Sequence, residues 1–132
     1  MSMKLEVLTP ERQALDLRID AVYLQGSLGR LGILSQHVAL ISKLDFGTLD
    51  HSGASGAGQL LCGDGLVEVH DNMVTVLVRS AESRDGIDID RAKGALDRAR
   101  QRRDSKDNDV DMARAEAALA RALTRLQFAG EM

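Results

Sequence analysis

An α+β fold is what this sequence predicts: an N-terminal all-β sandwich over residues 1–86, followed by a C-terminal antiparallel two-helix hairpin over residues 87–132. Three observations carry the prediction. Up to residue 78 apolar residues recur at every second position, whereas Ile89, Ala92, Leu96 and Ala99 recur at three and four, so strands give way to helices within 81–92. The alternating runs are short, are separated by glycine turns and have no helical run between them, which is the pattern of a sandwich or barrel. The two helical runs are parted by the polar break Asp104-Ser105-Lys106-Asp107-Asn108-Asp109, short enough to make them antiparallel neighbours.

The strands follow in order. Met3, Leu5 and Val7 alternate with Lys4 and Glu6, and Thr9-Pro10 stops that run; Leu15, Leu17 and Ile19 alternate with Asp16, Arg18 and Asp20. Extended segments are expected at 21–25, 31–34, 38–44 and 47–51, with Gly26-Ser27-Leu28-Gly29 as a turn and the small-residue stretch Gly53-Ala54-Ser55-Gly56-Ala57-Gly58 as a flexible loop. Residues 59–62, 65–70 and 73–78 complete the set, the last two joined by Asp71-Asn72, a hairpin signal. The first helix is expected over about 89–103, with Asp88 as N-cap and Asp90 one turn in, where negative charge suits the positive end of the dipole. The second is expected over about 110–128, with Met112, Ala115, Leu119, Ala122, Leu123 and Leu126 on one face. Facing stripes so rich in alanine allow close approach but bury little area per turn, and at roughly 25 cal/mol per Å² such a hairpin is marginal alone. It is therefore expected to lean on the β module or on a partner, and to detach.

Composition limits the functional classes. A chain of 132 residues can bury one substantial core, or one plus a small appendage. No run of 18 apolar residues exists, and the chain enters strand pattern at Met3 without a signal or transit segment, so a cytoplasmic, bacterial protein is expected. The lone cysteine, Cys62, excludes an internal disulfide and reads as a small buried apolar residue. With only Tyr23, Phe46 and Phe128 as aromatics, and seven Lys/Arg against eleven Asp/Glu in residues 1–87, a nucleic-acid-binding sandwich is disfavoured. Residues 88–132 hold ten basic against nine acidic side chains, a charge-dense segment rather than a phosphate-binding one.

No active site can be assembled. The 53–58 stretch leads into Leu60-Leu61 without the Gly-Lys-Ser/Thr of a P-loop, and Ala57 stands where a G-x-S-x-G elbow needs its last glycine. His37, His51, His70 and Cys62 lack metal-ligand spacing, and no nucleophile with base and orienting group is present. The chain is read as a non-enzyme, without a metal and without a required cofactor. Arg91 and Arg98, seven apart, share a helix face, as do Arg121 and Arg125, four apart. Guanidinium forks suit phosphate oxygens. An N-cap and two solvated arginine stripes lying away from the apolar seam account for the same residues, and both readings stay open.

Two stretches, in this order of modules, resemble the ε subunits of F-type ATP synthases: 26–34 (Gly-Ser-Leu-Gly-Arg-Leu-Gly-Ile-Leu) followed by His37 and Leu40, and Gly65-Leu66-Val67-Glu68-Val69 followed by Asn72, 74–77 (Val-Thr-Val-Leu) and Ala81-Glu82. The opening 5–11 (Leu-Glu-Val-Leu-Thr-Pro-Glu) fits as well, and the similarity covers essentially the whole chain. The resemblance implies a flattened β-sandwich carrying a helical hairpin, and a rotor part in the central stalk rather than a catalyst. The sandwich would dock on the γ subunit and the c-subunit ring, with Leu28, Gly29, Arg30, Leu31 and His37 as partner contacts. The hairpin would be a brake that extends into the α/β catalytic head and blocks ATP hydrolysis, with Arg100, Arg102 and Arg103 attracted to acidic segments there. Ile87-Asp88-Ile89-Asp90-Arg91-Ala92 is similar to the family's I/L-D-x-x-R-A motif. In members that bind ATP as a regulatory ligand this implies Glu82, Ile87, Asp88, Arg91, Ala92, Arg98, Arg121 and Arg125 as the nucleotide set. Two departures stand out: Ser35-Gln36-His37-Val38-Ala39 replaces the usual Pro-Gly-His-Ala-Pro, implying a less rigid loop, and Arg30 occupies a commonly acidic position facing the ring. The resemblance places the chain on the cytoplasmic face of the inner membrane, peripheral to it through the complex. The rival is a free-standing ATP-sensing module with a mobile hairpin.

Overall fold

The alternating runs become ten strands: β1 (Met3–Leu8), β2 (Gln13–Ile19), β3 (Ala21–Gly26), β4 (Gly29–Leu34), β5 (Leu40–Leu44), β6 (Gly47–Gly53), β7 (Gly56–Cys62), β8 (Gly65–His70), β9 (Met73–Val78) and β10 (Ala81–Glu82). The computed structural model describes residues 2–105 and 111–130. The chain divides into two compact units, Met1–Ser83 and Arg84–Met132.

In the first unit the strands form one continuous sheet in the order β10-β7-β6-β3-β5-β8-β9-β1-β2, with β4 paired on β3. The sheet closes over its inner face as a β-sandwich. Among the described residues the strand pairings are antiparallel except β1 with β9, which run parallel from Lys4↔Met73 to Leu8↔Leu77. Period-2 alternation decides what lies inside. Met3, Leu5 and Val7 are fully buried between partly exposed Lys4 and Glu6, and Val67, Val69, Val74 and Val76 repeat the pattern on β8 and β9. These side chains join Ile19, Val22, Leu24, Ile33, Leu44, Leu49 and Leu60 in one core. Cys62 belongs to it, and burial pushes its thiol up to about 12, which keeps it protonated and inert.

Registers fix the two ends of the sandwich. Gly26, Leu44 and Gly65 lie at one end, linked by the pairs Gly26↔Leu44 and Leu44↔Gly65. The β8–β9 turn, the start of β1 and the 35–39 loop lie at the other. Asp71 and Asn72 make that turn with φ of 51° and 60°, both left-handed, as a two-residue type I′ hairpin requires.

Several segments differ from the sequence expectation. The 53–58 stretch is no flexible loop: β6 runs to Gly53, β7 begins at Gly56, and only Ala54-Ser55 turn between them. Small residues there serve a tight hairpin, and Gly58 gives room to the cross-strand ring of His51, whose Nε2 would sit 2.6 Å from a Cβ. The strand expected over 38–44 begins only at Leu40, β2 starts earlier at Gln13, and β10 was not foreseen. Two residues are too few to show a period. Arg12 Nη2 donates to the Ala81 carbonyl (2.8 Å) and helps hold β10.

The second unit is the hairpin, α1 (Ile89–Asp104) and α2 (Met112–Phe128), entered through a 3-10 turn at Arg84–Gly86. Asp88 and Asp111 are the N-caps, each accepting the backbone N–H three residues on, from Arg91 (3.0 Å) and Arg114 (3.1 Å). The seam buries Ala92, Leu96 and Ala99 against Leu119, Ala122 and Leu126, flanked by Ile89, Ala95, Ala118 and Leu123. Ala115 is buried too, but Met112, expected on that face, is 43% exposed in the first turn. Residues 106–110, which include most of the expected break and the expected start of the second helix, lie outside the described residues. Arg84 joins the two ends of the hairpin: its Nε donates to the Phe128 carbonyl (2.9 Å) and its guanidinium lies 5.5 Å from the Phe128 ring centroid. A cation at the C-terminus of α2 meets the negative end of the helix dipole as well. This contact brings the start of the unit against the end of α2, as an antiparallel pair requires.

Two expectations follow from the packing. A Cβ on Gly65 would stand 1.9 Å from the Leu77 carbonyl oxygen, so Gly65→Ala should lower sandwich stability by about 3 kcal/mol in urea unfolding. Arg84→Ala should cost the hairpin about 1–2 kcal/mol and speed amide exchange across 89–128 while sandwich amides stay unchanged. Equal exchange in both proteins would remove Arg84 as the fastener of the helix pair.

Candidate functional site

The candidate nucleotide residues fall on both units. Glu82 lies on β10 in the first unit; Ile87, Asp88, Arg91, Ala92, Arg98, Arg121 and Arg125 lie in the second. Asp88 is committed to its cap, with Oδ1 on the Arg91 N–H. Ile87 is buried, and Ala92 is part of the helix seam, so these two shape the helix and offer no polar group. The arginines sit outside the seam. Arg91, Arg98 and Arg121 are exposed and make no ion pair with a described residue, while Arg125 is partly buried. Antiparallel pairing sets Arg125 in the last turn of α2, at the end of the hairpin where α1 begins, Arg121 about one turn further in, and Arg91 in the first turn of α1. Arg98 lies about two turns further along α1, with its Nη1 folded over Gly94. The hairpin thus gathers Arg91 and Arg125 at one end and leaves Arg121 and Arg98 towards its middle.

The candidate partner residues of the sandwich do not form one patch. Leu28 is fully exposed at the tip of the β3–β4 turn, beside Gly29, whose φ of 136° suits glycine. Leu31 packs partly against the core. His37 lies beyond the far end of β4, about 17 Å away at roughly 3.4 Å per residue. Its N–H donates to the Leu34 carbonyl (3.2 Å), and its Nδ1 lies 2.7 Å from the Val38 carbonyl. A carbonyl only accepts, so Nδ1 carries the proton in this bond.

Arg30 turns back along the sheet. Its guanidinium pairs with Asp50 on β6, donates to the Thr48 carbonyl (2.6 Å) and reaches the Tyr23 carbonyl (3.4 Å). Asp50 also accepts from Gln59 Nε2 on β7 (2.5 Å). The counter-charge to this arginine therefore stands in the chain itself. No signal in the sequence linked positions 30 and 50, because the pairing depends on β3–β4 and β3–β6 registers. Arg100, Arg102 and Arg103 are exposed near the C-terminus of α1; Arg103 Nε pairs with Asp104 (3.2 Å).

One further group was missed by sequence reasoning. His51 has Nδ1 buried without a partner, and burial lowers its pKa below 6.5, so it is held neutral against Gly58. Tyr23, Asp50, Ser52 and Gln59 surround it in an open concavity of the sheet. Among the described residues no group of His, Cys, Asp or Glu could hold a metal ion.

Known proteins resemble this chain over its whole length. The family described as ATP synthase, Delta/Epsilon chain, beta-sandwich domain, matches residues 2–84, and the one described as ATP synthase, Delta/Epsilon chain, long alpha-helix domain, matches residues 85–130. Similar chains include the ATP synthase epsilon chain of Nitratidesulfovibrio vulgaris (42% identical over 129 residues, 98% of this chain and 96% of the relative) and that of Desulforamulus reducens (38% over 128 residues, 97% of each). The epsilon chain of Bacillus pumilus is 36% identical over 132 residues, 98% of each. In fold the chain is similar to one in the mitochondrial ATP synthase OSCP/F1/c-ring structure of Euglena gracilis (TM-score 0.81, 23% identity, 93% of this chain and 78% of that one). It is also similar to one in the central stalk/c-ring structure of the Tetrahymena thermophila mitochondrial enzyme (TM-score 0.61, 18% identity, 99% and 96%). With a sandwich and a helix pair in the family's order, each matched nearly end to end, this chain belongs to the delta/epsilon chain family of ATP synthases, among the epsilon chains.

Proposed function

We propose that this chain is a non-catalytic rotor subunit in the central stalk of a bacterial F-type ATP synthase, held at the cytoplasmic face of the inner membrane by its partners. The observation that carries the reading is the presence, in one chain, of both family units in order over residues 2–84 and 85–130. Residues 1–86 dock on the γ subunit and the c-subunit ring, and so couple ion flow to the catalytic head. No helix of the described residues is long and apolar enough to cross a membrane.

Residues 87–132 are the regulatory element. The hairpin seam rests on three alanines and three leucines, a thin apolar contact for two helices of four turns or more. Its surface is charged, and its cohesion depends on a few contacts such as Arg84 on Phe128. An element of this kind supports two arrangements separated by a small free energy, one packed and one extended into the α/β head, where Arg100, Arg102 and Arg103 meet acidic segments and hydrolysis stops. ATP stabilises the packed form of the hairpin through Arg91, Arg98, Arg121 and Arg125, beside the Asp88 cap. The guanidinium groups of Arg91, Arg98 and Arg121, exposed and without an ion pair among the described residues, favour that ligand. The same feature also fits a free-standing ATP sensor that reports to another partner.

Calorimetric titration of the whole chain with ATP should give saturable binding that Arg121→Ala weakens about tenfold, the loss of one charge-assisted hydrogen bond to phosphate. No heat up to millimolar ATP would reduce the arginines to a solvated face and leave inhibition to rotation alone. The tagged chain should copurify a γ subunit from the source membranes; recovery of the chain without one favours the free-standing sensor.

A further inference from the structure

The loop in which this chain departs most from the family pattern, 35–39, is held by one side chain far away in sequence. Asn72 Oδ1 accepts the Gln36 N–H (2.9 Å), Asn72 Nδ2 donates to the Ser2 carbonyl (2.6 Å), and the Asn72 carbonyl accepts from Lys4 N (3.2 Å). The amide orientation is fixed by chemistry, since a backbone N–H can only donate and a carbonyl can only accept. Asn72 therefore joins three segments: the end of β4 with its loop, the start of β1 and the β8–β9 turn. Gln36 needs such a hold because its φ of 65° is left-handed and it is not glycine. Beyond it the loop carries the half-buried His37 and the exposed Val38, 76% exposed, with Ile41 following at 71%.

We propose that Asn72 is a positioning residue for partner binding: its carboxamide sets the 35–39 loop in the one conformation that offers His37 and Val38 to the γ subunit. The proposal rests on the docking role given above to the sandwich. Prolines at the ends of such a loop would limit its freedom covalently; Ser35 and Ala39 do not, and one hydrogen bond to a side chain that is itself anchored on Ser2 supplies the constraint instead. The role is not that of an ordinary turn former, because the turn needs only the left-handed backbone of residue 72, which glycine provides equally well.

Asn72→Gly in the full chain separates the two roles. The Asp71-Gly turn keeps its type I′ geometry, so the melting temperature should move little, while exchange of the Gln36 amide should rise about tenfold and affinity for purified γ subunit fall by a similar factor. Asn72→Asp keeps the acceptor for Gln36 and should preserve its protection and most of the affinity, while losing the donor to Ser2. Unchanged Gln36 exchange in Asn72→Gly, or a rise shared by all sandwich amides, overturns the clasp. A freed loop with unaltered affinity overturns the positioning role and leaves γ docking intact; wild-type chain that does not bind γ at all defeats the docking reading itself.

Discussion

Everything in the first unit depends on the parallel pairing of β1 with β9. It brings Lys4 beside Met73 and Leu8 beside Leu77, and it inserts three fully buried side chains, Met3, Leu5 and Val7, between β2 and β9. A parallel pair cannot be closed by a tight turn. Here the connection is most of the sandwich itself, so β1 is seated only when the rest of the sheet has formed around it. The Asn72 bonds to Ser2 and Lys4 lie at the mouth of this pairing, which is why a single turn residue can tie together segments 70 positions apart.

The second unit is built on the opposite principle. Its contacts join neighbours along one helix or across one antiparallel seam, and that seam is a single stripe of alanines and leucines. Long-range burial closes the sandwich on itself, whereas the hairpin is held by a thin local seam. The division between Ser83 and Arg84 is thus a division of physical character as well as of chain. The rotor and regulatory roles proposed for the two units call for bodies of such different character.

Much of this could be read in the sequence, because period and capping are local signals. Alternation around Lys4 and Glu6, the Asp71-Asn72 turn, Asp88 as N-cap and the Ala92, Leu96, Ala99 stripe all follow from residues within one turn or strand. What escaped is what register decides. Composition alone made 53–58 a loop, but seven cross-strand pairs between β6 and β7 turn most of it into a hairpin. Met112 fitted the apolar period, yet it sits in the first turn of α2, where it remains exposed. Arg84 with Phe128, Arg30 with Asp50 and Asn72 with Gln36 are all contacts between distant segments. No spacing rule reaches them.

Arg30 shows how such a contact changes a functional argument. From sequence, a basic residue at a commonly acidic position asks for a partner whose charge has reversed as well. With Asp50 beside it and two carbonyls accepting its N–H groups, the guanidinium is already neutralised and oriented within the sheet. What the tip of the β3–β4 turn offers outward is then the fully exposed Leu28, an apolar contact that needs no charge complement. The hairpin arginines differ in this respect, since Arg91, Arg98 and Arg121 have no such counter-charge among the described residues. A cation neutralised at home is a structural device, and one left facing water is where an anionic ligand gains most from binding. Under the proposed rotor role, that contrast assigns ring contact to Leu28 and a regulatory anion to the exposed hairpin arginines.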